Sequence, residues 1–136
     1  MPFIPSLAAV ATYAALKVGG YSAFGFGLNR IRERQVWPLG FGLTKTGCGL
    51  VGGLVYVLAL APAAGLDRGG FLPLFLGAIP IRLLAWGVVL HIFYDFRSDP
   101  RRLSLVAVVG TLWAYALDGL MAWLGQILPG MSRPFC

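Results

Sequence analysis

Charged residues are scarce in this chain of 136 amino acids: they make up 12% of it, whereas 58% of the residues are hydrophobic. A soluble domain of this size carries about twice that charged fraction. Nineteen glycines and nine prolines are present. They are interleaved with apolar residues, and both types are commoner in membrane helices than in soluble ones. The composition therefore predicts an integral membrane protein and argues against a soluble globular domain.

Histidine, cysteine and acidic residues are also few. The single histidine, His91, excludes bis-histidine ligation of haem, and five acidic residues give a poor supply of metal ligands. We therefore expect no cofactor and no metal. Cys48 lies inside an apolar stretch and Cys136 is the last residue, so a disulfide within one chain is not expected.

The net charge of +6 does not point to a nucleic-acid partner, because the basic residues form no extended face. Those outside the apolar stretches lie in short loops, where they indicate membrane orientation and contact with anionic headgroups. Membrane lipid is therefore the expected partner of the protein surface.

Four apolar segments are each long enough to cross a hydrocarbon core of about 30 Å, which needs about 20 residues. Short connections favour antiparallel neighbours, so we expect an all-α fold, a single domain over residues 1–136 built as a compact antiparallel bundle of four transmembrane helices. Pro80 is expected to kink the third segment, because proline removes a backbone N–H. The segments cover residues 4–28, 39–60, 71–94 and 103–128.

Arginine is distributed unevenly among the connections. The loops at residues 29–37 and 95–102 hold six arginines, whereas the loop at residues 61–70 and the C-terminal tail hold two. Because basic loops stay in the cytoplasm, the loops at residues 29–37 and 95–102 are predicted to be cytoplasmic. Both termini are then predicted to lie on the other side of the membrane. The predicted location is a bacterial inner membrane.

Three basic side chains and one acid lie inside the apolar segments, namely Lys17, Lys45, Arg82 and Asp118. A charge at the centre of a bilayer costs about 2.5 to 3.5 kcal/mol on insertion scales. At 1.5 Å per residue, Lys45 lies about 10 Å from the cytoplasmic end of its segment and the other three lie at about 17 to 22 Å. Matched depth and the bidentate geometry of guanidinium favour Arg82 as the partner of Asp118, with Lys17 a weaker competitor.

The residues around these charges extend the candidate site. Tyr13 and Tyr21 share a helical stripe with Lys17, and Trp86 lies one turn from Arg82, within reach of a cation–π contact. The predicted ligand-binding residues are Lys17, Lys45, Arg82, Asp118, Tyr13, Tyr21 and His91.

Several of these residues also have an ordinary structural explanation. Arg82 and Asp118 are as compatible with a purely structural pair between helices as with a functional one. The stem of Lys45 is long enough to carry its ammonium group to the cytoplasmic headgroups. His91 lies one turn before Asp95, which favours a local interaction at the end of the helix.

Three functions are compatible with these features. The excess of buried positive charge favours binding or translocation of an anionic solute or an anionic lipid headgroup. Rows of small residues in the first two segments also suit a non-catalytic subunit of a larger membrane complex. A small enzyme acting on a phosphate-bearing lipid or prenyl substrate is the third possibility, with Lys17 or His91 as acid or base and Arg82 holding the phosphate. The scarcity of acidic residues counts against it, and the catalytic residues stay unknown. A chain this small is expected to act as a homo-oligomer or with a partner membrane subunit. The rows are Gly19/Ala23/Gly27 and Lys45/Gly49/Gly53.

Overall fold

In a computed structural model, long helical segments correspond to the four apolar stretches of the sequence. The structure describes residues 7–65, 69, 71–96 and 99–127, and no strand occurs among them. The all-α class is confirmed, while the predicted segment ends at residues 4 and 128 lie outside the described residues. In chain order the elements are α1 (Leu7–Arg32), α2 (Pro38–Val55), a π-helical segment (Tyr56–Leu60), α3 (Ala61–Ala63), α4 (Phe71–Gly77), α5 (Ile79–Tyr94) and α6 (Pro100–Ile127).

Three helical stretches of the described chain are long and apolar enough to cross a membrane. They are Pro38–Ala63, Leu72–Tyr94 and Pro100–Leu124. Helix α1 is long enough as well, but Lys17, glycines and hydroxyl-bearing side chains make it less apolar than the other three. The structure therefore has the helical content expected of a membrane-embedded protein, with α1 the most polar of its long helices.

Two helices begin with proline, where a missing N–H costs nothing. Pro38 is the first residue of α2 and Pro100 is the first residue of α6. Asp99 caps α6, since its Oδ1 accepts a hydrogen bond from the backbone N–H of Arg102 at 3.1 Å. This cap explains why α6 begins three residues before the predicted start at residue 103.

The loop after α1 is shorter than the predicted 29–37, because α1 continues to Arg32. Arginines in the last turn interact favourably with the helix dipole. Glu33 then ends the helix with a left-handed φ of 52°. The Asn29 side chain fixes the loop, since its Nδ2 donates to the Val36 carbonyl at 2.6 Å and its Oδ1 accepts from the Val36 N–H at 3.3 Å.

The expected distortion at Pro80 is confirmed as an interruption of the helix. Helix α4 ends at Gly77 and α5 begins at Ile79 with Pro80 as its second residue. Helical hydrogen bonding resumes at once, because the N–H of Arg82 donates to the carbonyl of Ala78 at 3.0 Å.

The chain forms two compact units, and helices α2 and α6 contribute residues to both. The terminal unit consists of Met1–Leu43 with Leu112–Cys136, and the central unit of Thr44–Thr111. The predicted single domain over residues 1–136 stays a prediction.

Contacts inside the terminal unit set the directions of its helices. Along α1, Lys17, Gly20 and Phe24 meet Asp118, Leu117 and Trp113 of α6 in turn. Because the numbers rise along α1 as they fall along α6, this pair is antiparallel. Helix α1 also packs on the start of α2, where Gly25 faces Phe41 and Gly42 faces Val18.

The central unit shows the same alternation. Along α2 and the π-helical segment, Lys45, Gly52 and Tyr56 meet Trp86, Ile81 and Leu74 in turn. This order makes the chain from α4 through α5 antiparallel to α2. The Tyr56 hydroxyl donates to the carbonyl of Leu74 at 2.7 Å, which ties the π-helical segment to α4.

A glycine-to-alanine pair tests the packing of α1 on α2. A Cβ at Gly42 would lie 2.6 Å from the backbone oxygen of Val18, whereas a Cβ at Gly47 would meet nothing within 4 Å. We expect Gly42→Ala to destabilise the protein by about 1 to 3 kcal/mol through overpacking. Gly47→Ala should be neutral or stabilise by up to about 1 kcal/mol, since alanine is the better helix former. Thermal unfolding in detergent measures both. Equal stability of the two variants would contradict this packing.

Candidate functional site

A buried ion pair joins α1 to α6 in the terminal unit. The ammonium of Lys17 donates a hydrogen bond to Oδ1 of Asp118. The two residues are only 4% and 8% exposed. Direct contact of opposite charges is the arrangement that best offsets the loss of hydration on burial.

Two tyrosines complete the surroundings of Lys17. The Lys17 ammonium lies 5.5 Å from the ring centroid of Tyr13 and 5.6 Å from that of Tyr21. It also donates a long hydrogen bond of 3.5 Å to the Tyr21 hydroxyl. The stripe predicted from residues 13, 17 and 21 is therefore one face of α1, and both rings can contribute cation–π stabilisation.

The absence of a side chain at Gly20 lets α1 and α6 come close enough for the contact between Lys17 and Asp118. A Cβ at Gly20 would lie 2.6 Å from the side chain of Leu117, which occupies that space. The indole N–H of Trp113 donates to the Gly20 carbonyl at 3.0 Å. Phe24 lies against the same tryptophan, with ring centroids 6.4 Å apart.

The pairing of Asp118 with Arg82, favoured from matched depth, is wrong: Asp118 pairs with Lys17. Depth counted along each segment does not show which helices are neighbours or how each is rotated. The contact of Gly20 with Leu117 brings α1 onto the face of α6 that carries Asp118. Lys17, and not Arg82, is therefore the partner of Asp118.

Lys45 occupies a different kind of environment, in the central unit. It is 3% exposed, and its ammonium lies 4.8 Å from the centroid of the Trp86 ring. Of the two sequence interpretations, the structure supports the inward one rather than extension to the headgroups. Gly110 of α6 makes room for the indole, since a Cβ there would lie 2.6 Å from Trp86 Cε2.

Arg82 is half-buried on the same helix as Trp86, one turn earlier. Its guanidinium lies 5.8 Å from the centroid of the Phe75 ring. The cation–π contact predicted between Trp86 and Arg82 is therefore replaced by one between Trp86 and Lys45, and Arg82 contacts Phe75. Arg82 and Trp86 are neighbours on α5, because residues i and i+4 lie on one side of a helix, but the Arg82 guanidinium lies against Phe75 and the Lys45 ammonium against Trp86.

His91 belongs to the central unit. It is exposed and lines a groove between α5 and the first half of α6 together with Gly87 and Ser104. The neighbouring Asp95 ends α5 with a left-handed φ of 44°. The predicted local interaction of His91 with Asp95 stays a prediction.

The seven predicted site residues thus fall into separate groups. Tyr13, Lys17, Tyr21 and Asp118 form one cluster in the terminal unit. In the central unit Lys45 contacts Trp86, and Arg82 contacts Phe75. The sequence analysis missed Phe75, which precedes Arg82 by two turns across a helix interruption, a spacing that gives no clear contact signal.

Removal of one charge from the buried pair should be strongly destabilising. Asp118→Asn keeps the size of the side chain but leaves the Lys17 charge without its carboxylate, and we expect a loss of about 3 to 5 kcal/mol. The double variant Lys17→Met/Asp118→Leu removes both charges and should recover most of that loss. Thermal unfolding in detergent checks this. A double variant no more stable than Asp118→Asn would contradict the pairing.

Comparison of the chain with protein-family models, with curated proteins and with solved structures finds no match. What the protein binds is therefore inferred from the side chains of its own two clusters.

Proposed function

We propose that this protein is an integral membrane protein that binds an anionic group, a phosphate or a carboxylate, at Lys45 and Arg82 of the central unit. The observation that carries the proposal is that each of these two cations lies beside an aromatic ring. The Lys45 ammonium is 4.8 Å from the centroid of the Trp86 ring, and the Arg82 guanidinium is 5.8 Å from that of the Phe75 ring. Phosphate and carboxylate oxygens are the groups that lysine and arginine side chains recognise best.

The aromatic contact of Lys45 suits this role. A tryptophan ring attracts a cation through its negative face, by about 0.5 to 2 kcal/mol, but it carries no formal charge. Lysine has three N–H donors, and phosphate and carboxylate oxygens accept hydrogen bonds from such groups. Trp86 therefore positions the ammonium without neutralising it.

The Lys17–Asp118 pair has a structural role in this proposal. The apolar segments contain three basic side chains and one acid, and that acid is in contact with Lys17. Lys45 and Arg82, the other two basic side chains of the segments, belong to the central unit, and an anionic ligand there would bring an opposite charge to them.

We place all four long helical segments across the bilayer as an antiparallel bundle, including α1, whose charge at Lys17 is offset by Asp118. The loops at residues 29–37 and 95–102 face the cytoplasm and both termini face outward, as the distribution of arginines favours. The membrane proposed is a bacterial inner membrane. Translocation of the anion would need assembly as a homo-oligomer or with a partner subunit, because 136 residues are few for alternating access.

A role as a non-catalytic subunit is the second candidate, and the open face of α1 favours it. A Cβ at Gly19 or Gly27 would meet nothing within 4 Å, and Ala23 between them is exposed. Such a row of small residues lets another membrane helix approach closely.

Titration of anions tests the main proposal. Inorganic phosphate and the short-chain lipid dihexanoyl-phosphatidic acid are titrated by calorimetry into the detergent-solubilised protein. Lys45→Met and Arg82→Met should each weaken binding at least about tenfold, which corresponds to about 1.4 kcal/mol. Binding of both probes indicates a phosphate site, and binding of the lipid alone indicates a headgroup site.

The matched control is Arg34→Gln, which removes one cation from an exposed position in the first loop. Its affinities should equal those of the wild type. The proposal fails if Lys45→Met and Arg82→Met are folded and bind phosphate and the lipid as tightly as the wild type. It also fails if Arg34→Gln weakens binding to the same extent.

Cysteine labelling tests the orientation. Arg34→Cys, in a background in which Cys48 and Cys136 are alanine, should react with a membrane-impermeant maleimide only after spheroplasts are permeabilised. The physical reason is the retention of basic loops in the cytoplasm. Labelling of intact spheroplasts would reverse the proposed orientation.

A further inference from the structure

A groove of about 780 Å³ runs between α5 and the first half of α6, within the central unit. Its α5 side is built by Pro80, Leu84, Gly87 and His91, which recur every three or four residues and so form one stripe of the helix. Arg82 and Trp86 lie on another stripe, because each residue advances the helix by about 100°. The groove is therefore distinct from the proposed anion site.

The lining of the groove is apolar and faces outward. Leu84 is 69% exposed, Ile92 64% and Val88 52%. Such a surface is unfavourable in water and favourable against hydrocarbon. The α5 side spans residues 80–92, or about 18 Å at 1.5 Å per residue, which is close to one leaflet of a hydrocarbon core about 30 Å thick.

A basic residue, Arg101, lines a recess that adjoins the groove near the start of α6. This recess is lined by Pro100, Arg101, Ser104, Leu105 and Val108, and it shares Ser104 and Val108 with the groove. The Arg102 guanidinium is held by Asp99, with Nε 3.0 Å from Oδ2. Arg101 is exposed at the surface of the shared recess, where it can meet a ligand that occupies both.

We infer that this groove binds an anionic phospholipid of the surrounding bilayer, with an acyl chain along α5 and the headgroup phosphate at Arg101. The apolar lining and Arg101 match the two parts of such a lipid. The inference rests on insertion of the three apolar helices into a bilayer, and not on the anion site at Lys45.

Charge decides between a lipid and a second copy of the chain. The loops at residues 29–37 and 95–102 hold six arginines and three acids. A second copy in the same membrane orientation would therefore bring further positive charge to Arg101, whereas an anionic headgroup brings the opposite charge.

Gly87 gives a clean way to fill the groove. A Cβ at this position would meet nothing within 4 Å, so Gly87→Leu adds a side chain to the groove without a clash inside the protein. Gly49→Leu is the matched control, since Gly49 is also a helical glycine with open space around it and does not line the groove. Arg101→Gln tests the basic residue alone.

Retention of phosphatidylglycerol and phosphatidylcholine is measured by native mass spectrometry of the full chain, with thermal unfolding as a check of folding. We expect Gly87→Leu to weaken retention of both lipids at least fivefold relative to Gly49→Leu. Arg101→Gln should lower the preference for phosphatidylglycerol by about fivefold, the factor that corresponds to about 1 kcal/mol for one basic residue near the surface.

The inference is overturned if a folded Gly87→Leu protein retains phosphatidylglycerol as the wild type does, or if Gly49→Leu loses it equally. A Gly87→Leu protein that changes its oligomeric mass instead would show that a second copy occupies the groove. Lys45→Met separates this inference from the anion site. It should weaken titration with the anions, whereas the fivefold difference in lipid retention between Gly87→Leu and Gly49→Leu should persist in the Lys45→Met background, so either proposal can fail alone.

Discussion

The buried contact between Lys17 and Asp118 is the interaction on which the arrangement of the terminal unit depends. Removing a charge from water costs several kcal/mol, and the attraction between two buried charges offsets this only when their geometry is close and hydrogen-bonded. Helices α1 and α6 must therefore approach closely at the level of both residues. Gly20 permits that approach because Leu117 fills the space of its absent side chain. In an apolar surrounding, packing and polar contacts hold helices together. The ion pair and the close approach at Gly20 therefore both contribute to the packing of α1 on α6.

The cations of the apolar segments make a different kind of contact in the central unit. Lys45 and Arg82 lie over the rings of Trp86 and Phe75, at 4.8 and 5.8 Å from the ring centroids. A small residue again makes the arrangement possible, since Gly110 gives room to the indole of Trp86. The antiparallel order of α2 against α4 and α5 brings a lysine of one helix to a tryptophan of another. The ring contact of Lys45 therefore reports the register of the helices as directly as the ion pair does in the terminal unit.

The sequence predicted the helical class, the approximate helix ends and the interruption at Pro80, because hydropathy and proline act locally. It also identified the stripe of Tyr13, Lys17 and Tyr21, since neighbours on one helix follow from its period. It chose the wrong partner for Asp118, because depth along a segment carries no information on which helices touch. The helix ends shifted for local reasons that hydropathy does not register: the Asp99 cap starts α6 early, and α1 continues through two arginines to Arg32.

We propose the anion site in the central unit because an ion pair and a cation–π contact leave different charges for a ligand to meet. Breaking a buried ion pair costs about 3 to 5 kcal/mol, so an incoming anion gains little by competing with Asp118 for Lys17. A cation–π contact contributes about 0.5 to 2 kcal/mol and leaves the formal charge of the cation in place. An anion that approaches Lys45 would therefore add a charge interaction to the ring contact. We therefore propose Lys45 and Arg82 as the anion site and not Lys17, although Lys17 is the more deeply placed lysine by sequence.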